Sequence, residues 1–149
     1  MSNEFEKATT PRRRLNRSKA LLIGFPPQAV ADITEALETI GWAAVSSEDS
    51  DHAARECATE QFDFVLIDVD GVDQFAPELI TAIRDSTSMS ARSTIVAFSN
   101  YIPPAFKDRL VAVGVDGFCA LPLKDGVLVA SLTQASVNRA RSANLSGMT

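Results

Sequence analysis

The chain has 149 residues, of which 46% are hydrophobic and 22% are charged, and its formal net charge is −5. These values are typical of one soluble globular domain that buries a core. They exclude a membrane-spanning protein, because no apolar run approaches the roughly 20 residues needed to cross a bilayer. The acidic balance also argues against a DNA-binding protein.

Charge is distributed unevenly between the start of the chain and the rest. Residues 1–19 carry six Lys or Arg against two Glu, a net charge of +4, whereas the remaining 130 residues have a net charge of −9. Residues 1–18 show no apolar periodicity, so we predict a disordered basic leader there. Arg12, Arg13 and Arg14 have no interleaved aromatic residues, which argues against a nucleic-acid-binding arm.

The two cysteines indicate the compartment. Cys57 and Cys119 lie far apart, with no C-x-x-C pair and no clustered histidines. Such cysteines are typical of reduced thiols packed as small apolar groups, which predicts a cytoplasmic protein. The start of the chain does not resemble a secretory signal, because a charged polar leader precedes only a short apolar strand.

The apolar pattern predicts five strands that alternate with five helices within a domain at residues 19–141. Short apolar runs predict strands at about 20–23, 42–45, 62–67, 94–98 and 115–120. Apolar residues at spacings of three and four predict helices at about 27–40, 51–60, 77–84, 104–113 and 125–140. The fourth helix carries Val111 among its apolar residues, and the last helix is predicted to bury Val137. Residues 142–149 are predicted to form a flexible tail. The alternation of strands and helices predicts an α/β fold with a parallel sheet.

The third strand carries the candidate site. The run from Phe62 to Ile67 is apolar on both faces, as in a strand covered on both sides, and it stops at Asp68. A parallel strand that ends in a carboxylate places that group at the carboxyl edge of the sheet, where open α/β sheets hold their sites. Asp70 follows closely, with Gly71 as a turn residue.

With these elements in order, residues 19–140 resemble the receiver domains of bacterial two-component response regulators. The resemblance rests on Asp68 after strand three, Ser99 at the end of strand four, Phe118 in the segment GVDGF and Pro122 after strand five. It implies a flavodoxin-like, doubly wound sheet of order 2-1-3-4-5 with five helices. It also implies a cis peptide at Leu121–Pro122 and makes Asp68 the phosphoacceptor position, Ser99 the phosphoryl contact and Phe118 the aromatic switch position.

Two positions depart from the family pattern. The family ends strand one with an acidic pair that holds Mg²⁺, but this chain has Gly24 and Phe25 there. The family also has a lysine before the proline, where this chain has Leu121. Phosphoryl transfer depends on groups that neutralise charge, so we expect Asp68 to be phosphorylated inefficiently. Asp68 and Asp70 are weak candidate metal ligands, and we expect no cofactor apart from Mg²⁺ if the site accepts phosphate.

The residues favour an atypical, stand-alone receiver-like domain that acts by binding other signalling proteins and is not an enzyme. The expected partners are a histidine kinase, a phosphotransferase, another regulator or a second copy, with neither DNA nor membrane involved. By analogy with the family, the interaction face comprises Tyr101, Phe106, Asp108, Arg109, Leu123 and Lys124. One alternative is a working phospho-receiver that uses Asp68. Another is a flavodoxin-like domain or small enzyme that binds a small molecule at the same edge.

Overall fold

The fold is built on a five-stranded parallel sheet in a computed structural model that describes residues 18–47, 49–72, 75–124 and 126–148. The strand order is β2-β1-β3-β4-β5, which confirms the predicted flavodoxin-like topology. The strands are β1 (Lys19–Ile23), β2 (Ala43–Ser47), β3 (Phe64–Asp68), β4 (Thr94–Ser99) and β5 (Gly117–Ala120). The predicted basic leader lies outside the described residues except for Ser18.

Five helices cover the two faces of the sheet, as predicted. They are α1 (Pro27–Thr39), α2 (Ser50–Thr59), α3 (Ala76–Arg84), α4 (Pro104–Val113) and α5 (Val127–Met148). A sixth helix of one turn, Val69–Val72, follows β3 directly and was not predicted. The last helix continues to Met148, beyond the predicted end near residue 140, because no glycine or proline occurs between residues 127 and 146 to stop it.

Hydrophobic burial explains why the central strands are the most apolar. Every residue of β3 and β4 is buried, because helices cover both faces of the sheet. One core cluster lies on the side of α2 and α3 and contains Phe62, Val65 and Ile80. The second cluster lies on the side of α1 and α5 and contains Leu37, Phe98 and Leu132.

The burial predicted for Val137 is wrong, and Val111 of the preceding helix is also exposed. Val111 of α4 is 52% exposed and Val137 of α5 is 44% exposed. The buried side chains of these helices are instead those of Leu110, Leu128, Leu132 and Ala135. Val111 follows Leu110 directly, and consecutive helical residues lie about 100° apart around the axis, so burial of Leu110 directs Val111 outward.

Among the residues that the structure describes, no helix combines the length and the apolar character that crossing a membrane requires.

Candidate functional site

Asp68 lies at the carboxyl edge of the sheet, where the sequence places it. It is the last residue of β3 and is only 5% exposed. Its Oδ1 accepts hydrogen bonds from the backbone N–H groups of Asp70 (3.0 Å) and Gly71 (3.3 Å). These donors belong to the one-turn helix, so the strand-to-helix turn itself provides the hydrogen bonds to Oδ1.

The environment of Asp68 disfavours its charge. Burial raises the pKa of the Asp68 carboxyl, and the neighbouring Asp70 carboxylate raises it further, while the two backbone hydrogen bonds oppose the shift. Backbone amides supply partial positive charge only, and none of the hydrogen bonds found for this carboxylate comes from Lys or Arg. The ionised form of such a carboxyl is therefore less favourable, relative to the protonated form, than it is in water.

The turn after β1 packs directly against the turn after β3. Gly24 has a φ of 82°, and a side chain there would meet the Asp68 carbonyl oxygen at 3.2 Å. A Cβ on Gly71 would lie 1.9 Å from the Gly24 carbonyl oxygen. Since real Cβ contacts are not this short, the two turns can approach only as glycines. The backbones of the two turns are therefore in direct contact beside the main chain of Asp68.

Phe25 and Leu121 lie in the apolar cluster on the side of α1 and α5. The ring of Phe25 packs edge-on against Phe98, with 5.2 Å between ring centroids. Leu121 is half-buried against the same cluster. The two positions that the resemblance assigns to an acid and a lysine thus contribute packing, and neither adds charge near the carboxyl edge. The Leu121–Pro122 peptide is cis, as predicted.

Ser99 interacts with Asp70. The Ser99 hydroxyl lies 3.2 Å from each carboxylate oxygen of Asp70 and 2.9 Å from the Tyr101 carbonyl oxygen. The Ser99 hydroxyl oxygen also accepts a hydrogen bond from the Tyr101 N–H at 3.1 Å. A hydroxyl has one proton to donate, so Ser99 serves these acceptors in alternation. Ser99 thereby links the one-turn helix to the loop after β4.

The residues around Asp68 fit a dedicated Mg²⁺ site poorly. Within the described ranges, no group of three or more His, Cys, Asp or Glu side chains is placed to hold a metal ion. Oδ1 of Asp68 is already bonded to backbone, and the Asp70 carboxylate lies beside Ser99. Mg²⁺ is normally held by one or two carboxylates, with waters completing its octahedral shell, and here both nearby carboxylates already take part in hydrogen bonds.

Phe118 lies on the other side of the sheet from Phe25. It is half-buried against the cluster that contains Phe62 and Ile80. The ammonium group of Lys107 lies 4.9 Å from the centre of the Phe118 ring, a cation–π contact. A groove of about 670 Å³ runs over β5 between α4 and α5, and Phe118 lines it together with the exposed Val111.

The residues predicted as an interaction face lie in two groups. Tyr101 is 71% exposed, and the Arg109 guanidinium lies 5.6 Å from the Phe106 ring centre. Asp108 is exposed on the same helix, α4. Leu123 and Lys124 instead line a second groove, of about 410 Å³, with acidic residues of α1. That groove lies between α1 and α5, so the structure does not bring all six residues to one groove.

An ion-pair network that was not predicted from the sequence lies at the opposite, amino edge of the sheet. The Arg84 guanidinium donates to Asp116 (2.8 Å) and to the carbonyl oxygens of Gly114, Ala91 and Ser93. Asp116 also accepts from the Ile95 N–H at 2.8 Å. The available signal was an Arg ending an amphipathic helix and an acid directly before a strand, which does not identify a pair.

The strand order and the helices on both faces define a class of structure, a doubly wound flavodoxin-like domain. No protein-family model matches the sequence, and no curated protein matches it. Solved structures do match. The chain superposes on chemotaxis protein CheY4 of Vibrio cholerae with a TM-score of 0.72 at 19% identity, covering 80% of this chain and 98% of that one.

Two further structures are similar. A response regulator from Burkholderia pseudomallei, described with a phosphorylated aspartic acid, a calcium ion and citrate, gives a TM-score of 0.69 at 24% identity, covering 85% of this chain and 73% of that one. A response regulator from Thermotoga maritima gives a TM-score of 0.71 at 16% identity, covering 81% of this chain and 98% of that one. At these identities the likeness establishes a shared fold, and function is inferred from the site.

Proposed function

We propose that this chain is a receiver-like domain of bacterial two-component signalling that acts by binding other proteins, and that Asp68 is a poor phosphoryl acceptor. The observation that carries the proposal is the environment of Asp68, a buried carboxylate whose hydrogen bonds within the described part of the chain come from the backbone N–H groups of Asp70 and Gly71. Transfer of a phosphoryl group requires cations that neutralise the charge spreading over its oxygens. Where the receiver pattern has a lysine before the proline that follows β5, this chain has the half-buried Leu121.

The neighbouring turns support the same conclusion. A phosphoryl group and its metal ion need space beside the acceptor oxygen. In this chain the turn after β1 packs against the turn that donates to Asp68, with the Gly24 carbonyl beside Gly71. The Ser99 hydroxyl is engaged with Asp70 and Tyr101. Ser99 would have to leave these partners in order to contact a phosphoryl group on Asp68.

The experiment is treatment of the purified chain with acetyl phosphate and Mg²⁺, followed by intact mass measurement. We expect no species heavier by about 80 Da, the mass of a phosphoryl group. The Phe25→Asp/Leu121→Lys double variant restores one carboxylate and one cation, and it should gain some of that species. Asp68→Ala in the same background identifies the acceptor.

A wild-type chain that gains the phosphoryl group, and loses it in Asp68→Ala, would overturn the proposal. It would establish the second candidate, a working phospho-receiver. The position of Asp68 at the end of the central strand favours this candidate, because it matches the phosphoacceptor position of the receiver pattern.

Binding through the α4 side of the molecule is supported by exposure. Tyr101, at 71% exposed, precedes α4, and the groove over β5 adds the apolar surfaces of Val111 and Phe118. Tyrosine at such a position combines a large apolar area with a polar end, and it is enriched at protein interfaces. A histidine kinase, a phosphotransferase, another regulator or a second copy are the partners we propose for this surface.

Affinity capture tests this surface. Immobilised wild-type chain should retain a specific set of proteins from a bacterial lysate, and Tyr101→Ser should lose part of that set. Val45→Ser is the matched control, because Val45 is an apolar residue of the opposite edge strand, 39% exposed. Identical sets for all three chains would contradict a role for Tyr101.

A further inference from the structure

The outer side of the edge strand β2 carries backbone groups that have no partner among the described residues. In a parallel ladder the N–H and C=O of one residue point to the same side, and successive residues point to opposite sides. The Ala43 N–H donates to the Ser18 carbonyl oxygen at 2.9 Å, on the side of β1. Ala44 and Ser46 therefore direct their N–H and C=O groups away from the sheet.

The sequence of β2 does not protect this edge. Native edge strands commonly carry charged side chains, proline or a bulge, which prevent pairing with another chain. The sequence of β2 is AAVSS, with neither charge nor proline, and it pairs with β1 over all five residues without a break in register. Val45, at its centre, is 39% exposed. The edge is thus both open and partly apolar.

The other edge strand, β5, is flanked by polar side chains of the neighbouring helices. The ammonium group of Lys107 lies 4.9 Å from the centre of the Phe118 ring, and the Asn138 side chain donates to the Asp116 carbonyl oxygen at 2.8 Å. In the described part of the chain, no side chain forms a hydrogen bond with the backbone of β2. The two edges therefore differ, and β2 is the one that is open to a further strand.

The sequence of β2 fits a second copy of itself. An antiparallel two-fold pairing centred on Val45 places Ala44 opposite Ser46 of the second copy, and Ser46 opposite Ala44. These are the residues with outward-pointing groups, so four backbone hydrogen bonds form. The Trp42 N–H already donates to the Leu37 carbonyl oxygen at 2.9 Å, so the ladder ends before Trp42.

The side chains also match in this register. Val45 lies opposite Val45 of the second copy in a non-hydrogen-bonded pair, the kind in which side chains are closest. Its neighbours in β2 are alanine on one side and serine on the other, so a small residue meets a small residue on either side of the valines. Like charges do not meet along the paired strands, because β2 has no charged residue.

We propose that two copies of this chain associate through β2, so that their two sheets become one, with antiparallel strands at the junction. A two-fold contact uses the same edge of both copies, so association stops at the dimer. The paired segment is short, so the dimer is weak. The proposal uses neither the Asp68 edge nor the α4 side, and it holds or fails independently of the proposed function.

Sedimentation velocity of the full-length chain tests the association. Protein concentrations from about 20 μM to about 1 mM cover the range in which a weak dimer forms. We expect a reversible shift from monomer to dimer across this range. A chain that stays monomeric throughout would overturn the proposal. Species that grow beyond the dimer would also overturn it, because a two-fold contact closes.

Substitutions in β2 identify the surface. Ser46→Pro removes an outward N–H that the β1 ladder does not use, so the fold should tolerate it. The two-fold removes two hydrogen bonds at once, which should weaken the dimer at least about tenfold. Val45→Lys should also dissociate the dimer, because it places like charges opposite each other. Val45→Ile should strengthen the dimer severalfold by adding apolar surface.

Val111→Lys is the matched control, because Val111 is an exposed valine of α4 that does not belong to β2. It should leave the dimer intact. Thermal unfolding checks that each variant is folded, and Val45→Lys decides the outcome if Ser46→Pro is not. A dimer that is lost in Val111→Lys and kept in the β2 variants would assign association to the α4 side and overturn the proposal.

Amide hydrogen exchange gives a readout at individual residues. Exchange at Ala44 and Ser46 should become slower as protein concentration rises, because their N–H groups are bonded only in the dimer. Exchange at Ala43 and Val45 should change less, because their N–H groups already point toward β1. A dimer in which Ala44 and Ser46 exchange at the rate of the monomer would contradict pairing through β2.

Discussion

The two edges of the sheet each hold an acid with a buried side chain, and the two acids differ in their hydrogen-bond partners. At the amino edge, Asp116 has a side chain 5% exposed and is bonded to Arg84 and to the Ile95 N–H, with Arg139 at 3.8 Å. At the carboxyl edge, Asp68 is also 5% exposed, and it is bonded to two backbone N–H groups. Burial raises the pKa of both carboxyls, but only at Asp116 do guanidinium groups oppose the shift.

The different partners indicate how each acid contributes to the fold. A buried carboxylate with a hydrogen-bonded cation crosslinks the elements around it, and here Arg84 joins α3 to the starts of β4 and β5. Among the described residues, the hydrogen bonds of Asp68 come from backbone N–H groups, and they connect the end of β3 to the one-turn helix that follows it.

The largest effect is expected from removal of the guanidinium at the amino edge. Arg84→Met keeps most of the side-chain volume but leaves the Asp116 carboxylate without its nearest cation. Breaking a buried pair in this way costs about 3–5 kcal/mol of unfolding free energy. Urea denaturation at pH 7 measures the loss.

The double variant is the control for that experiment. Arg84→Met/Asp116→Leu removes both charges, so part of the lost stability should return. If Arg84→Met costs less than about 1 kcal/mol, the value typical of an exposed pair, then the network does not stabilise the amino edge.

The second effect is expected at the carboxyl edge, where the backbone is closely packed. Gly71→Ala places a methyl group 1.9 Å from the Gly24 carbonyl oxygen, so the two turns must separate. Overpacking of this kind costs about 1–3 kcal/mol, and we expect the upper end because the clash is with backbone. Thermal and urea unfolding give the value. Gly41→Ala is the control, because Gly41 has a φ of 83° but open space around its Cβ position, so it should lose only about 1 kcal/mol.

Much of the fold follows from the apolar pattern because parallel strands and amphipathic helices have distinct periods. The five strands, the five main helices and the place of Asp68 at the end of β3 were predicted in this way. Gly114 ends α4 with a φ of 122°, as its position predicts. These features depend on local sequence patterns, so a single sequence is enough to predict them.

The details of the site depend on contacts between distant residues, and these were not predicted. The approach of Gly24 to Gly71 depends on how two turns 47 residues apart meet. The one-turn helix Val69–Val72 contains a glycine and valines, which have poor helix propensity, so tertiary packing of its buried valines determines it. The bond from Ser99 to Asp70 likewise required the sheet order to be known.

A smaller effect is expected at Ser99. Ser99→Ala removes the hydroxyl that contacts Asp70 and the Tyr101 backbone, at a cost of about 1 kcal/mol. Amide hydrogen exchange should become faster at residues 69–72 and at Tyr101, since the hydroxyl joins these segments. Ser99→Thr keeps the hydroxyl and should keep the slow exchange. Equal exchange in the alanine variant and wild type would show that the hydroxyl does not link the two loops.

The smallest change in stability is expected from Asp68→Asn. Unlike the loss expected at the amino edge, this change should be a gain at pH 7. Both backbone donors bond to Oδ1, so Asp68→Asn can keep them while removing the charge. The pKa of Asp68 is raised by folding, so its ionised form lowers stability above the folded pKa, and this penalty disappears as pH falls below the ordinary value of about 3.9. Asp68→Asn should therefore be more stable than wild type at pH 7, and the difference should shrink as pH approaches 4.

Asp85 provides the opposite case in the same pH series. Hydrogen bonds from the Thr87 side chain and backbone lower the pKa of the Asp85 carboxyl, so its stabilising effect is present at neutral pH and is lost on acidification. Asp85→Asn should thus be less stable than wild type at pH 7 and equal to it at low pH. If Asp68→Asn followed the Asp85 pattern, the ionised Asp68 would have a stabilising partner. The site would then hold enough positive potential to favour the phospho-receiver over the domain we propose.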